Sequence, residues 1–196
     1  MSDRWDQAYS AAKELPAVCY GLLNYRHLLP NKGVGLDLAC GLGQNAIFLS
    51  KHGLSMHGWD YSKVGLEQMK QHCQKQGVNV QMHPIDLESE TWPKLSFDLI
   101  CVNAFLARQL CPQIVSALKP GGTLVYQTFN TVHELDGQCL SKPSRSEFLL
   151  ERYELLSLFS ELEVLVYEDY QNTAKYDDAL AGKALLMGQK KFKPAM

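Results

Sequence analysis

Three aspartates occupy positions where a carboxylate can serve a ligand. Asp37 lies inside an apolar run, Asp60 ends a strand-like segment, and Asp86 follows another such segment. A carboxylate accepts hydrogen bonds from a ligand's ammonium group, from ribose hydroxyls or from an adenine amino group. Each has a structural alternative: Asp37 could tie down the turn that follows, Asp60 could be an ordinary loop residue, and Asp86 could form a turn itself.

A glycine-rich turn follows Asp37 directly. The residues Gly41-x-Gly43-x-x-Ala46 fit the fingerprint of a dinucleotide site, and Asp60 stands about twenty positions on, where such sites carry an acidic residue. Glycine permits a tight turn and a close approach of the ligand to the backbone. The pattern predicts a strand, a turn and a helix that bind a nucleotide-like cofactor, either NAD or S-adenosylmethionine.

Strand-like and helix-like segments alternate along the chain, which predicts a mostly parallel α/β sheet with helices on both faces. The predicted strands are 34–39, 55–60, 78–85, 97–103, 123–129, 162–168 and 184–189. The predicted helices are 44–52, 63–76, 105–118 and 152–159. Ser62 is placed to cap the second of these helices, and the last two strands are expected to pair antiparallel.

Length and composition exclude several classes of protein. The 196 residues suit one domain, and a net charge of -2 lacks the basic footprint of a nucleic-acid-binding protein. None of the six cysteines lies within three positions of another, so no paired metal-ligand spacing occurs and no metal is expected. The sequence shows no signal peptide and no apolar stretch of membrane-spanning length, so a cytoplasmic protein is expected.

Three features favour S-adenosylmethionine over NAD. Asp37 inside a buried strand needs a partner, which the cofactor's ammonium group would supply. Asp86 stands where a carboxylate can bind an adenine amino group. The part of the chain after residue 97 is short for a hydride-transfer enzyme, and it shows no Tyr-x-x-x-Lys motif.

These motifs, in this order, resemble the class I S-adenosylmethionine-dependent methyltransferases. The resemblance rests on 36–43, Asp60 with Tyr61, Asp86 with Leu87, 97–100 and 118–124. It implies a Rossmann-like seven-stranded sheet of order 3-2-1-4-5-7-6 with an antiparallel last strand, and S-adenosylhomocysteine as the product. Within the class, the chain looks most similar to the small bacterial tellurite-resistance and thiopurine-type enzymes.

One residue of the glycine-rich motif departs from the family pattern, and the N-terminal segment adds a further similarity to it. Ala39 stands where glycine is usual, and a methyl group is tolerated there only at a negative φ. Arg4-Trp5-Asp6-x-x-Tyr9 resembles a short N-terminal element that closes over the cofactor, although a merely packed helix would also explain it. We therefore expect a helical lid at 1–30 and a catalytic core at 31–196.

The candidate site residues follow from the resemblance and from the strand ends. The expected cofactor-binding residues are Trp5, Tyr9, Asp37, Ala39, Gly41, Gly43, Asn45, Asp60, Tyr61, Asp86, Leu87 and Asn103. The expected acceptor-binding residues are Phe105, Thr128, Asn130 and Arg145. The candidate catalytic residues are Asn103 and His133, but Asn103 could instead cap a helix and His133 could simply be solvated.

The predicted activity is direct in-line methyl transfer to a small molecule, for which a dedicated base is optional. Asn103 is followed by Ala104 and Phe105, which departs from the Asn-Pro-Pro-Tyr motif of enzymes that methylate nucleic-acid bases. Two alternatives stay open: a catalytically silent methyltransferase-like protein with a binding or regulatory role, and an NAD-linked oxidoreductase.

Overall fold

Residues 2–12, 14–131, 145–169 and 182–192 are described by this computed structural model. The strands are β1 (Val34–Leu38), β2 (Ser55–Asp60), β3 (Val80–Pro84), β4 (Phe97–Asn103), β5 (Leu118–Phe129), β6 (Leu162–Asp169) and β7 (Lys183–Lys190). The helices are α1 (Ser2–Ala11), α2 (Tyr20–Asn24), α3 (Gln44–Lys51), α4 (Lys63–Gln76), α5 (Cys111–Ala117) and α6 (Glu154–Leu158).

The strands form one sheet of order β3-β2-β1-β4-β5-β7-β6. The five strands from β1 to β5 are parallel, whereas β7 runs antiparallel to both of its neighbours. The sheet order and the antiparallel last strand are both confirmed. The order reverses between β1 and β4, and ligands of such sheets bind at the carboxyl ends of the strands at this switch point.

Apolar side chains cover the sheet on both faces. One layer is centred on Trp59, Phe97 and Tyr126. The other contains Leu49 of α3 and Met69 of α4. Because both faces are buried, the central strands are nearly continuous apolar runs, and this is the pattern that the sequence shows.

Several element boundaries were predicted to the residue, among them those of β2, β4 and α4. The Ser62 hydroxyl caps α4 by accepting a hydrogen bond from the Gly65 N–H at 3.0 Å, as expected. The helix predicted over 105–118 is wrong in its extent, because only a 3-10 turn at Arg108–Leu110 and the short α5 form there. A proline in the first turn of α5 favours a helix that begins at that point. Ala104, at φ 57, has a backbone conformation that ends the regular structure of β4.

Among the described residues, no helix is both long and apolar enough to cross a membrane.

Candidate active site

The glycine-rich turn joins β1 to α3 in left-handed backbone conformation. Gly41 has φ 52 and Gly43 has φ 84. A Cβ on Gly41 would lie 2.8 Å from the Tyr9 hydroxyl, and one on Gly43 would collide with Met69. Ala39 also has a positive φ, of 57, a conformation that costs a residue with a Cβ about 1–2 kcal/mol. The exception to the family motif is therefore a strained residue.

Asp60 locks this turn to the start of α4. One carboxylate oxygen accepts the Gly41 N–H at 2.8 Å and the other accepts the Ser62 N–H at 2.9 Å. The residue is only 3% exposed, and burial raises its pKa, with a smaller contribution from the charge of Asp6. A carboxylate has about four acceptor positions, so acceptor capacity remains for a ribose hydroxyl. This geometry fits the role that the sequence predicted for Asp60.

Asp37 is buried beneath the turn, with 1% of its surface exposed. Its carboxylate accepts the Ala46 N–H at 3.0 Å and a hydrogen bond from the Asn45 side chain. Burial raises the pKa of Asp37 well above its ordinary value. The structure thus shows Asp37 tying down the turn and the first turn of α3, and its contact with a ligand stays a prediction.

The segment between α1 and α2 lies across the carboxyl end of β5. The Asn45 side chain accepts the Cys19 N–H at 2.9 Å. Gln127 accepts hydrogen bonds from the Cys19 thiol at 3.3 Å and from the Gly21 N–H at 3.2 Å. Sequence reasoning missed Gln127, although a buried amide inside an apolar strand is a signal of such a role.

Helix α1 packs against α4 beside the turn. The Ser62 hydroxyl donates a hydrogen bond to the Asp6 carboxylate, and the Tyr9 ring lies between the turn and α4. Trp5 stacks on Tyr9 with ring centroids 5.7 Å apart. Burial, and then the charge of Asp60, raise the pKa of Tyr9, so its phenol stays protonated. The two aromatic residues lie beside the predicted cofactor site, and closure over a ligand remains a prediction.

The carboxyl end of β3 carries the residues expected to meet an adenine ring. Asp86 is exposed, and hydrogen bonds from the Ser89 side chain and from the Glu88 N–H lower its pKa. The residue therefore forms its own turn while its carboxylate stays open to solvent. Leu87 is buried, and half-buried Phe105 packs against the same apolar cluster. Tyr61, next to Asp60, is also half-buried.

Gln44 is a further residue of this site that the sequence analysis did not single out. It follows Gly43 as the first residue of α3, and its side-chain oxygen is buried without a hydrogen-bond partner among the described residues. A buried acceptor of this kind calls for a donor such as an ammonium group. The residues around the turn therefore fit both the amino-acid part and the ribose of S-adenosylmethionine.

The carboxyl end of β4 forms one side of the expected acceptor region. Asn103 is half-buried, and no helix begins there, so the interpretation of Asn103 as a helix cap is wrong. The Ala104 N–H donates to the Gln127 carbonyl at 2.9 Å, which draws the chain toward β5. The Phe105 carbonyl accepts the Tyr126 hydroxyl at 3.0 Å. Both bonds hold this loop against the neighbouring strand.

The carboxyl end of β5 forms the other side of the expected acceptor region. Thr128 is 1% exposed and Asn130 is fully buried. Arg145 instead lies on the surface, where it pairs with Glu147 at 3.4 Å and both side chains are more than half exposed. His133 lies outside the described residues. The structure thus brings two of the predicted acceptor residues together at the end of β5 and leaves Arg145 in solvent.

Arg108 connects the β4 side and the β5 side of the expected acceptor region. Its guanidinium binds both oxygens of Glu154, at 2.6 and 2.9 Å, and donates to the carbonyls of Glu147 and Leu149 at 2.8 Å each. The loop after β4 is thereby tied to the chain that follows β5. The sequence around Arg108 does not indicate these partners, because they lie about 40 residues away along the chain.

A surface cavity of about 580 Å³ opens at the other end of the sheet. Ser50, Gln76 and Asn79 are among its lining residues, and these lie where helices end and strands begin. The aspartates and the glycine-rich turn lie at the opposite edge, so we assign the chemistry to that edge.

Residues 36–122 match the family model of a methyltransferase domain. This range contains the glycine-rich turn, Asp60 and Asp86. The crystal structure of TehB from Haemophilus influenzae has the same fold, with a TM-score of 0.73, 19% identity, and coverage of 95% of this chain and 67% of that chain. The family match thus covers the part of the chain that holds the candidate site, and the solved structure shares its fold.

Two curated relatives are similar to part of this chain. The ubiquinone biosynthesis O-methyltransferase of Coxiella burnetii is 32% identical over 100 residues, which cover 48% of this chain and 43% of that protein. The probable S-adenosyl-L-methionine-dependent methyltransferase TehB of Haemophilus influenzae is 25% identical over 142 residues, which cover 68% and 47%. The chain therefore spans less than half of the length of either relative.

Proposed function

We propose that the chain is an S-adenosylmethionine-dependent methyltransferase that acts on a small-molecule acceptor. The observation that carries this proposal is the lock between Asp60 and the glycine-rich turn. Its carboxylate is held by the N–H groups of Gly41 and Ser62, at 2.8 and 2.9 Å, and keeps acceptor capacity for a ribose. The names of the curated relatives support the same activity.

The chain's own residues position the reactants and exclude water. Gly41 and Gly43 leave room beside the turn for Tyr9 and Met69, and the unpartnered oxygen of Gln44 would accept a hydrogen from an ammonium group. We assign Trp5 and Tyr9 of α1 the role of covering the bound cofactor. When bound, S-adenosylmethionine supplies a methyl group that already carries its own leaving group, so orientation is the main task of the protein.

We place the acceptor between the carboxyl ends of β4 and β5. Asn103, Phe105, Thr128 and Asn130 lie at these ends, close to the switch point of the sheet. Residues 1–30 would form the lid, and 31–196 the catalytic core. The five described cysteines are free, buried thiols, which agrees with a reducing, cytoplasmic setting.

Calorimetry and a turnover assay test the proposal together. The protein is titrated with S-adenosylmethionine, S-adenosylhomocysteine and NAD, and release of S-adenosylhomocysteine is then followed with a panel of small acceptors. We expect binding of the first two ligands, no binding of NAD, and turnover with at least one acceptor. Binding of NAD alone would overturn the proposal in favour of an oxidoreductase. Cofactor binding without turnover on any acceptor would instead assign a silent binding protein.

A further inference from the structure

Two buried polar atoms at the end of β5 have no hydrogen-bond partner among the described residues. They are the hydroxyl oxygen of Thr128 and the side-chain carbonyl oxygen of Asn130. Thr128 is the last residue but one of β5, and Asn130 forms a bridge with Leu150 just beyond the end of the strand. Because the large majority of buried polar side-chain atoms in proteins are paired, two unpaired neighbours at a strand end point to a missing partner.

The orientation of the Asn130 amide follows from its neighbour. Its nitrogen donates to one oxygen of the Asp169 carboxylate at 2.7 Å. An ionised carboxylate only accepts hydrogen bonds, so the amide nitrogen must face Asp169 and the amide oxygen must face away. The unpartnered atom of Asn130 is therefore an acceptor, and a partner has to bring an O–H or an N–H.

Asp169 is itself held firmly. Its second oxygen accepts the Tyr167 hydroxyl at 2.9 Å and the Tyr153 N–H at 3.4 Å. Tyr153 has φ 64, which is unusual for a bulky residue and persists only where the surroundings enforce it. The backbone of Asn130 is fixed too, since its N–H donates to the Gly182 carbonyl at 3.0 Å. The acceptor atom is thus presented by a rigid network.

We propose that Thr128 and Asn130 form the acceptor subsite and select a small molecule with a hydroxyl or amino group, whose hydrogen is donated to the Asn130 side-chain oxygen. This deepens the proposed function and rests on it. Transfer forms one bond from the acceptor oxygen or nitrogen to the methyl carbon, breaks the carbon–sulfur bond with its electron pair left on sulfur, and releases the acceptor's proton to water. A thiolate has no hydrogen to donate and is excluded by this subsite.

Matched ligand pairs test the subsite without requiring turnover. Phenol is compared with anisole, and aniline with N,N-dimethylaniline, by ligand-observed NMR on protein saturated with S-adenosylhomocysteine. Each pair differs only in the presence of a donor hydrogen. We expect the donor-bearing member to bind about five- to tenfold more tightly, in line with one hydrogen bond to a buried acceptor.

Three variants complete the test. Asn130→Leu should abolish the preference and Thr128→Val should weaken it, while binding of S-adenosylhomocysteine changes less than twofold. Thr123→Val, a buried position of β5 remote from the site, should leave the preference intact. Thr128→Val removes an unpaired hydroxyl and should fold normally, so the test survives a misfolded Asn130→Leu.

An equal affinity for both members of each pair, no binding of either, or an undiminished preference in Thr128→Val would overturn the subsite. Turnover of a thiol as fast as of a hydroxyl would overturn it too. Failure of the wild-type protein to bind S-adenosylhomocysteine at all would refute the proposed function instead.

Discussion

Replacing Asp60 with asparagine isolates the contribution of one buried charge to both folding and cofactor binding. The carboxylate accepts the Gly41 N–H at 2.8 Å and the Ser62 N–H at 2.9 Å, one on each oxygen. An asparagine has nearly the same shape but only one acceptor oxygen, so its NH2 group must face one of these two N–H groups. The turn thereby loses one bond outright and keeps the other in its weaker, neutral form.

The size of the effect follows from these two bonds. A hydrogen bond to a charged group contributes about 1.5–3 kcal/mol, and a buried donor left unpaired costs about 1–3 kcal/mol. The variant also avoids the cost of burying a charge, which raises the pKa of Asp60 in the wild-type protein. We expect a net loss of roughly 2 kcal/mol in the free energy of unfolding, or about 4–8 °C in Tm for a chain of this size.

The raised pKa adds a pH signature. Since the folded state holds the Asp60 proton more tightly than the unfolded state, whose pKa is near the ordinary 3.8, this group's contribution to stability is largest at low pH. It declines as the pH rises from about 4 through the pKa of the folded state. Asp60→Asn should remove this component from a pH series of denaturation curves.

Binding is measured by calorimetry with S-adenosylhomocysteine. Loss of the charged acceptor for the ribose hydroxyls should weaken Kd by more than tenfold, because about 1.4 kcal/mol corresponds to a factor of ten. Asp98→Asn is the matched control. Asp98 also accepts a backbone N–H, that of Val34 at 2.7 Å, and pairs with Lys119, but it lies at the opposite end of the sheet.

We expect the control to lose stability while keeping the wild-type Kd. If Asp60→Asn binds the ligand within twofold of the wild type, the assignment of Asp60 to the ribose is refuted, whatever happens to Tm.

Three further predictions concern the backbone strain at Ala39, the titration of His57 and the contacts of Arg108. Ala39→Gly should raise the free energy of unfolding by up to about 1 kcal/mol, because φ 57 strains an alanine; an unchanged urea midpoint would argue against this strain. Burial, and then the charge of His83, lower the pKa of His57 below 6.5. The free energy of unfolding should therefore fall as the pH drops below 6.5. His57→Phe should flatten that dependence in denaturation curves between about pH 5 and pH 7.5. In Arg108→Lys, the ammonium group cannot reproduce the bidentate contact with Glu154. This variant should lower Tm by several degrees and speed amide exchange at residues 147–150. Unchanged exchange there would show that Arg108 does not hold this segment.

Local sequence signals predicted most of the fold. The periodicity of the segment 63–76 and the cap at Ser62 determine α4, and the apolar run 99–102 determines β4. The resemblance to a known class of methyltransferases supplied the sheet order. These predictions succeed because helix periodicity, strand burial and capping depend on neighbouring residues. The helix predicted over 105–118 is too long for the same reason, since Leu106 and Ala107 are apolar and buried although they lie outside any helix.

The candidate site was predictable to a smaller extent. The sequence placed Asp60 beside the glycine-rich turn, and the structure confirms that neighbourhood through the bond to Gly41. It left open whether Asp37 serves a ligand or the turn, and it gave Asn103 an interpretation as a cap that proved wrong. Each of these outcomes depends on which atoms meet after folding.

By itself, the sequence determined the kind of turn, the strand tips that carry aspartates, and the class of cofactor that these imply. Only the tertiary structure decided the partners: Gln127 with Cys19, Arg108 with Glu154, and Asn130 with Asp169. The partners in these pairs are 108, 46 and 39 positions apart. No local pattern encodes such a contact, because it forms only when the sheet brings distant strand ends to one edge. The acceptor subsite is made of contacts of this kind, and its chemistry emerges from the fold.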